Sequence, residues 1–181
     1  PLLDLGAGAG RDALFYQTQF ETVALEHSPR LLTLLHERGV KDTQLGDMFS
    51  LRETFETDRF RSAHAIGSQL GLAGSLAGVK RFLEDLASVT TPDATAVLDN
   101  YDPARARQND VFGVREDPRP GVGRRVYHER YDGVVGRTLV FCLFSLERLR
   151  ETTVGTPWEI VGDRTVGTQW RAALRKTEAA D

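Results

Sequence analysis

The sequence contains a single cysteine, Cys142, among its 181 residues. One thiol cannot form an intrachain disulfide, an iron–sulfur cluster or a zinc site made of several thiolates. Cys142 lies in an apolar run, where a cysteine usually packs as a small buried hydrophobic side chain. We therefore expect a protein of a reducing compartment, the cytoplasm.

Long hydrophobic runs and a strong excess of one charge are also absent. No apolar stretch approaches the roughly 20 residues that span a bilayer. Lys and Arg number 23 against 26 for Asp and Glu, a formal net charge of −3, so no strong positive field is available to hold nucleic acid. The expected partner is a small molecule rather than nucleic acid or a membrane, and a homodimer is possible.

The remaining composition, 40% hydrophobic and 27% charged, is typical of one globular domain, which we place over residues 1–181. Because Pro1 to Leu5 already has the pattern of a buried strand, we expect the natural polypeptide to begin further upstream.

Short apolar runs alternate with helical patterns over the first hundred residues, which predicts an α/β fold with a mostly parallel sheet. Helix starts are indicated by Ser28 before Pro29, by a capping box from Ser50 to Glu53, and by Ser75. The strands are predicted at Pro1–Leu5, Thr22–Leu25, Thr43–Leu45, Ser62–Ile66 and, after a turn at Pro92-Asp93, Thr95–Leu98.

The second half of the chain has a different pattern. Residues 102–123 are rich in proline and charge, which indicates a long loop or lid. The dipeptide Asp132-Gly133 predicts a hairpin between residues 124 and 144, which can roof a cleft or serve as a dimerisation ribbon. Further predictions are a helix from Ser145 to Leu149 and a final strand pair, Trp158–Val161 and Gln169–Leu174, joined near Gly162-Asp163-Arg164.

A glycine-rich loop, Asp4-Leu5-Gly6-Ala7-Gly8-Ala9-Gly10, follows the first strand. Glycine lets the backbone pass close to a ligand, and the helix that follows offers N–H groups and a positive dipole end to an anion. The dinucleotide fingerprint G-x-G-x-x-G requires a third glycine where Arg11 stands, so the register departs from a nicotinamide or flavin site. A loop that serves only strand-to-helix packing is the structural alternative.

Asp4 lies two positions before the G-x-G-x-G run that starts at Gly6. This pattern resembles motif I of class I S-adenosylmethionine-dependent methyltransferases. Glu26, 16 residues after Gly10, matches the second motif, where a carboxylate accepts both ribose hydroxyls. Gly46-Asp47-Met48 resembles the adenine contact, and Ala65 to Gly71 the fourth motif. The resemblance covers residues 1–102, whereas 103–144 match nothing specific.

The resemblance implies a Rossmann-like three-layer sandwich whose seven-stranded, mostly parallel sheet has its last strand antiparallel, with an inserted β-hairpin. It implies S-adenosyl-L-methionine as cofactor and S-adenosyl-L-homocysteine as product, with Asp4 helping to hold the ammonium group. The residues expected to bind the cofactor are Asp4, Gly6, Ala7, Gly8, Gly10, Glu26, His27, Asp47, Met48, Gly67, Ser68 and Gln69.

Methyl transfer from a sulfonium needs alignment and exclusion of water more than side-chain chemistry. Candidate bases are Tyr101 and His128, with Tyr127 and Glu129 as further choices; no pair of histidines has metal-ligand spacing. The end of the fifth strand, Asp99 to Asp102, is expected to meet the acceptor. Two alternatives stay open: an NAD(P)-dependent Rossmann oxidoreductase, and a cofactor-binding subunit without catalysis.

Overall fold

The computed structural model describes residues 1–108, 114–128 and 130–177. The helices are α1 (Arg11–Tyr16), α2 (Pro29–Glu37), α3 (Leu51–Thr54), α4 (Leu76–Val89), α5 (Pro103–Gln108) and α6 (Leu146–Thr153), with a 3-10 helix over Gln69–Ala73. The strands are β1 (Leu2–Leu5), β2 (Thr22–Glu26), β3 (Thr43–Leu45), β4 (Phe60–Ala65), β5 (Thr90–Tyr101), β6 (Arg115–Glu116), β7 (Val122–Tyr127), β8 (Arg130–Tyr131), β9 (Val134–Val135), β10 (Leu139–Phe144), β11 (Trp158–Val166) and β12 (Gln169–Lys176).

A seven-stranded sheet in the order β11-β12-β5-β4-β1-β2-β3 organises the fold. Strands β1 to β5 pair in parallel, whereas β12 pairs antiparallel with both β5 and β11. The predicted sheet, with its last strand antiparallel, is confirmed. Since β1 and β2 end side by side, the glycine loop and Glu26 meet at one sheet edge.

Helices cover both faces of the sheet, as the alternation of side chains along β2 shows. Val23 and Leu25 join the larger core with Leu83 of α4, whereas Ala24, between them, packs on the opposite face with Leu35 of α2. Successive side chains of a strand point to opposite faces, and the resulting three layers are the ones predicted.

Serine caps define three helix starts as predicted. The hydroxyls of Ser28, Ser75 and Ser145 accept the backbone N–H three residues further on, which satisfies one of the unpaired donors of the first turn. The predicted capping box at Ser50 is wrong, since the Ser50 side chain makes no capping bond and Glu53 N–H donates to the Ser50 carbonyl instead. Helix α3 is correspondingly short.

The predicted turn before the fifth strand is an irregularity inside it. Strand β5 begins at Thr90, and its register against β4 moves from Phe60–Thr90 to Ser62–Thr95. Asp93, next to a proline without an N–H, has a φ of 62°. The extra residues bulge out, and pairing resumes beyond them, so the strand is longer than its sequence pattern indicates.

The segment predicted as a loop, residues 102–123, contains α5 and the short strand β6. Strand β6 pairs with β7, which pairs with β10 to form a separate sheet; residues 109–113 lie outside the described ranges. The predicted hairpin is confirmed, and its turn at Asp132-Gly133, with φ of 47° and 77°, joins β8 to β9. Backbone with two positive φ values is typical of a type I′ turn.

The final strand pair is longer than predicted. Strands β11 and β12 pair up to Val166 and Gln169, so the turn falls at residues 167–168 rather than at Gly162 to Arg164. Gly162 instead lies at a register shift within the hairpin. A glycine in a strand often marks such a bulge.

Within the ranges that the structure describes, no helix combines the length and apolar character needed to cross a membrane.

Candidate functional site

A cleft of about 640 Å³ opens at the edge of the sheet where β1 and β2 end. Its volume is in the range of small-molecule sites. The glycine loop and the end of β2 form its floor, and the hairpin of β7 and β10 contributes its roof. Seven of the predicted cofactor residues line it: Gly6, Gly8, Glu26, His27, Asp47, Met48 and Gln69.

Three glycines of the loop have left-handed backbone, with φ of 72° at Gly6, 58° at Gly8 and 81° at Gly10. A β-carbon on Gly10 would lie 2.7 Å from a methyl group of Leu35, so this glycine allows the loop to pack against α2. A β-carbon on Gly8 would meet nothing closer than 4.0 Å. Gly10 is therefore a packing position, and Gly8 keeps the cleft open.

The backbone donors of the loop are used within the protein. Gly6 and Ala7 N–H donate to the carbonyl of Leu25 at 3.0 Å, and Gly10 N–H donates to the carbonyl of Ala7 at 2.9 Å. These three N–H groups are therefore not available to a ligand. The expectation that the first turn of the following helix, α1, offers its N–H groups to an anion stays a prediction. The loop shapes the cleft mainly through its missing side chains.

Glu26 is held from two sides. Its Oε2 accepts the N–H of Gly8 and its Oε1 that of Ser28, both at 2.8 Å. The residue is only 7% exposed, yet it lines the cleft. Each carboxylate oxygen can accept a second hydrogen bond, so the fixed carboxylate can bind two neighbouring hydroxyl groups.

The end of β3 supplies the next part of the floor. Asp47 Oδ1 accepts the N–H of Phe49 at 2.9 Å, and Met48 is 6% exposed and belongs to the core. Gly46 passes close to β2, since a β-carbon there would lie 2.9 Å from a Leu25 methyl group. An apolar slot with a carboxylate at its rim suits a flat ring bearing an amino group.

Asp4 lies behind the loop and does not line the cleft. It is 3% exposed, and its Oδ1 is 2.9 Å from Nε2 of His64, directly opposite on β4. The contact lacks hydrogen-bond geometry, and Asp4 Oδ2 has no hydrogen-bond partner among the described residues. A direct contact between Asp4 and a cofactor stays a prediction.

The loop after β4 is fixed by Asp99. Asp99 Oδ1 accepts the N–H of Ser68 at 2.7 Å, and its Oδ2 accepts those of Gly67 at 3.2 Å and the Gln169 amide at 2.7 Å. Asp99 and Asn100 are both fully buried. The expectation that this pair meets the acceptor is therefore wrong, because these side chains organise the loops around the cleft.

Several predicted residues lie outside the lining, and sequence reasoning missed others. Tyr101 is half-buried and His128 exposed, and neither lines the cleft, nor do Ala7, Gly10, Gly67 and Ser68. Glu129 lies outside the described residues. The missed roof residues are the five consecutive positions from Arg137 to Phe141. Strand alternation would not have selected them, because they are consecutive and β10 begins only at Leu139.

Comparison with known proteins gives structural relatives only. No protein-family model matches the sequence, and no curated protein matches it. A methyltransferase from Bacteroides fragilis, solved with S-adenosyl-L-homocysteine, is 21% identical, with a TM-score of 0.76 over 97% of this chain and 72% of that one.

Two further solved structures are similar. A methyltransferase from Clostridium acetobutylicum is 11% identical over 97% of this chain and 83% of its own, with a TM-score of 0.72. The 1,6-didemethyltoxoflavin-N1-methyltransferase of Burkholderia thailandensis is 19% identical over 98% of this chain and 71% of its own, with a TM-score of 0.67. The chain therefore has the Rossmann-like fold of S-adenosylmethionine-dependent methyltransferases.

Proposed function

We propose that this protein is an S-adenosylmethionine-dependent methyltransferase that acts on a small-molecule acceptor. The observation that carries the proposal is the carboxylate of Glu26, which lines the cleft while the N–H groups of Gly8 and Ser28 hold it in place. The shared fold supports the same reading. The glycine register disfavours the nicotinamide alternative.

The residues in the cleft fit this cofactor. Glu26 presents free lone pairs for a ribose diol, and Met48 with Asp47 provides an apolar slot and an acceptor for adenine. Gly6 and Gly8 leave the floor without side chains, where the amino-acid part of the cofactor would lie. Asp4, with an unpartnered carboxylate oxygen behind the loop, stays the predicted acid for the ammonium group.

When bound, the cofactor supplies an electrophilic methyl group that carries its own leaving group. The chain then has to align the acceptor and keep water out. The hairpin of β7 and β10 roofs the cleft and can do both. The net charge of −3 and the relative named for 1,6-didemethyltoxoflavin favour a small acceptor over nucleic acid.

Calorimetric titration of the protein with S-adenosyl-L-homocysteine and, separately, with NADH tests the proposal. Binding of the first ligand alone is expected. Binding of NADH alone would replace the proposal by the oxidoreductase alternative. A protein that binds S-adenosyl-L-homocysteine but methylates no member of a broad acceptor panel would be the non-catalytic subunit.

We further propose a cytoplasmic location, supported by the lone cysteine, and possible homodimer formation. Cys142 is free and buried, so the fold does not depend on oxidation. Fractionation of the native cells tests the location. Sedimentation velocity at several protein concentrations tests the oligomeric state, with a single concentration-independent monomer contradicting the dimer.

A further inference from the structure

Two aromatic side chains stack on the roof of the cleft. The rings of Tyr127 on β7 and Phe141 on β10 are 5.5 Å apart with an interplanar angle of 29°. Leu139 is the direct partner of Tyr127 across the antiparallel pair, so Tyr127, Leu139 and Phe141 share one face of the hairpin. All three line the cleft.

Core packing does not account for this aromatic pair. Neighbouring Cys142 and Phe144 are 1% and 0% exposed and belong to the main core. Tyr127 and Phe141 are only partly buried and do not belong to the apolar core. Arg125 lies over the Tyr127 ring, with its Cζ 4.3 Å from the ring centroid. The part of the ring pair that stays exposed in the cleft is the surface on which a flat ligand can stack.

The strand that carries Phe141, β10, is fixed to the 3-10 helix and to β5. A β-carbon on Gly71 would lie 2.9 Å from a ring carbon of Phe141 and 3.1 Å from the carbonyl of Cys142. Asn100, at the end of β5, donates from Nδ2 to that same carbonyl at 3.1 Å. The aromatic surface is thus held in position before a ligand binds, which reduces the entropy lost on binding.

An unpaired cation lines the same cleft. Arg137 is exposed and forms no ion pair with any residue in the part of the chain that the structure describes. By contrast, Arg119 and Arg124, nearby in sequence, both lie within 4 Å of a carboxylate oxygen of Asp117, at 2.9 and 3.6 Å. The Arg137 guanidinium is therefore available to a ligand anion, and its planar fork suits a carboxylate.

We propose that the acceptor is a flat aromatic molecule bearing an acidic group, with its ring on Tyr127 and Phe141 and its acid on Arg137. This inference rests on the proposed function and specifies its substrate class. Glu26 and Asp47, the acidic residues in the lining, would repel such an anion from the floor. Their charge leaves the roof as its binding surface.

Three probes test the inference on protein saturated with S-adenosyl-L-homocysteine: 2-hydroxybenzoate, 2-hydroxybenzamide and 2-hydroxycyclohexanecarboxylate. Dissociation constants are measured by titration with NMR detection. We expect 2-hydroxybenzoate to bind at least about tenfold more tightly than either analogue, because one lacks the charge and the other lacks the aromatic ring.

Variants then assign the two contacts. Arg137→Gln is expected to lower the affinity for 2-hydroxybenzoate to that for 2-hydroxybenzamide. Tyr127→Leu and Phe141→Leu are made separately, so that one variant still gives a result if the other does not fold. Each is expected to weaken the binding of both aromatic probes about fivefold or more. Val161→Ala, at an exposed position of β11 outside the cleft lining, is the control and should leave the affinity for all three probes unchanged.

Failure of this inference is distinguishable from failure of the proposed function. Wild-type protein that binds S-adenosyl-L-homocysteine but treats the three probes alike would overturn the inference and leave the function standing. Arg137→Gln that weakens S-adenosyl-L-homocysteine instead of 2-hydroxybenzoate would overturn the anion assignment, since Arg137 would then hold the cofactor's own carboxylate. Absence of S-adenosyl-L-homocysteine binding in the wild type would overturn both.

Discussion

The backbone N–H of Gly8 donates to the carboxylate of Glu26 at 2.8 Å, although 18 residues separate the two in sequence. The bond joins the loop after β1 to the end of β2. The loop and the acid thus act as one unit, because a change at either residue alters the position of the other.

Glu26→Gln is expected to weaken S-adenosyl-L-homocysteine binding by roughly tenfold or more. An amide retains one acceptor oxygen in place of two, and a hydrogen bond to a charged group is worth about 1.5–3 kcal/mol. Calorimetry measures the change. Glu159→Gln, at an exposed carboxylate of β11, is the control, and equal affinity in the two variants would contradict the assigned role of Glu26.

Alanine at Gly8 and at Gly10 should have different effects. Gly10→Ala places a β-carbon 2.7 Å from Leu35 and 2.9 Å from Val40, and overpacking of this kind costs about 1–3 kcal/mol of unfolding free energy. Left-handed strain adds to this cost, because Gly10 has a φ of 81°. Gly8→Ala meets open space, so it should cost only the left-handed strain, about 1–2 kcal/mol, while it obstructs the cleft. Urea unfolding and ligand titration of both variants separate the effects.

Two results would contradict this prediction. One is a Gly10→Ala variant that binds S-adenosyl-L-homocysteine more weakly with no loss of stability; the other is a Gly8→Ala variant that binds it as tightly as the wild type. Either result would mean that the two glycines do not divide packing and binding between them.

Asp99→Asn is expected to loosen the loop that contains Gly67 and Ser68. The new amide group would face the N–H of Ser68 if it replaces Oδ1, or that of Gly67 if it replaces Oδ2. A buried donor left without a partner costs about 1–3 kcal/mol. Hydrogen exchange at Gly67 and Ser68 should accelerate relative to that at Gly8. Unchanged exchange at both amides would show that Asp99 does not hold the loop.

Cys142 should resist alkylation in the folded protein. Burial raises the pKa of its thiol above the ordinary value, so the reactive thiolate is scarce at pH 8, and the side chain is only 1% exposed. Iodoacetamide labelling followed by mass spectrometry is expected to modify the protein quickly in 8 M urea and at most slowly without it. Equal rates in the two conditions would contradict the buried placement.

Much of the fold could be predicted because local patterns and tertiary packing agree there. Ser28 with Pro29 and Ser75 start helices whose apolar faces point to the sheet, and Asp132-Gly133 forms the turn that its residue types favour. The errors occur where pairing between distant segments overrides local pattern. Pro92-Asp93 has the composition of a turn, yet pairing of β5 with β4 continues on both sides of it.

The alternation of strands and helices over the first hundred residues, the glycine loop and the acid at the end of β2 were all predictable, because periodicity, caps and spacing are properties of neighbouring residues. Three features came from folding alone: which glycine packs and which opens the cleft, the burial of Asp99, and the place of Tyr127 and Phe141 in the roof. Those outcomes depend on distances between atoms far apart in the chain, such as Gly10 against Leu35, and one sequence carries no direct signal of such distances.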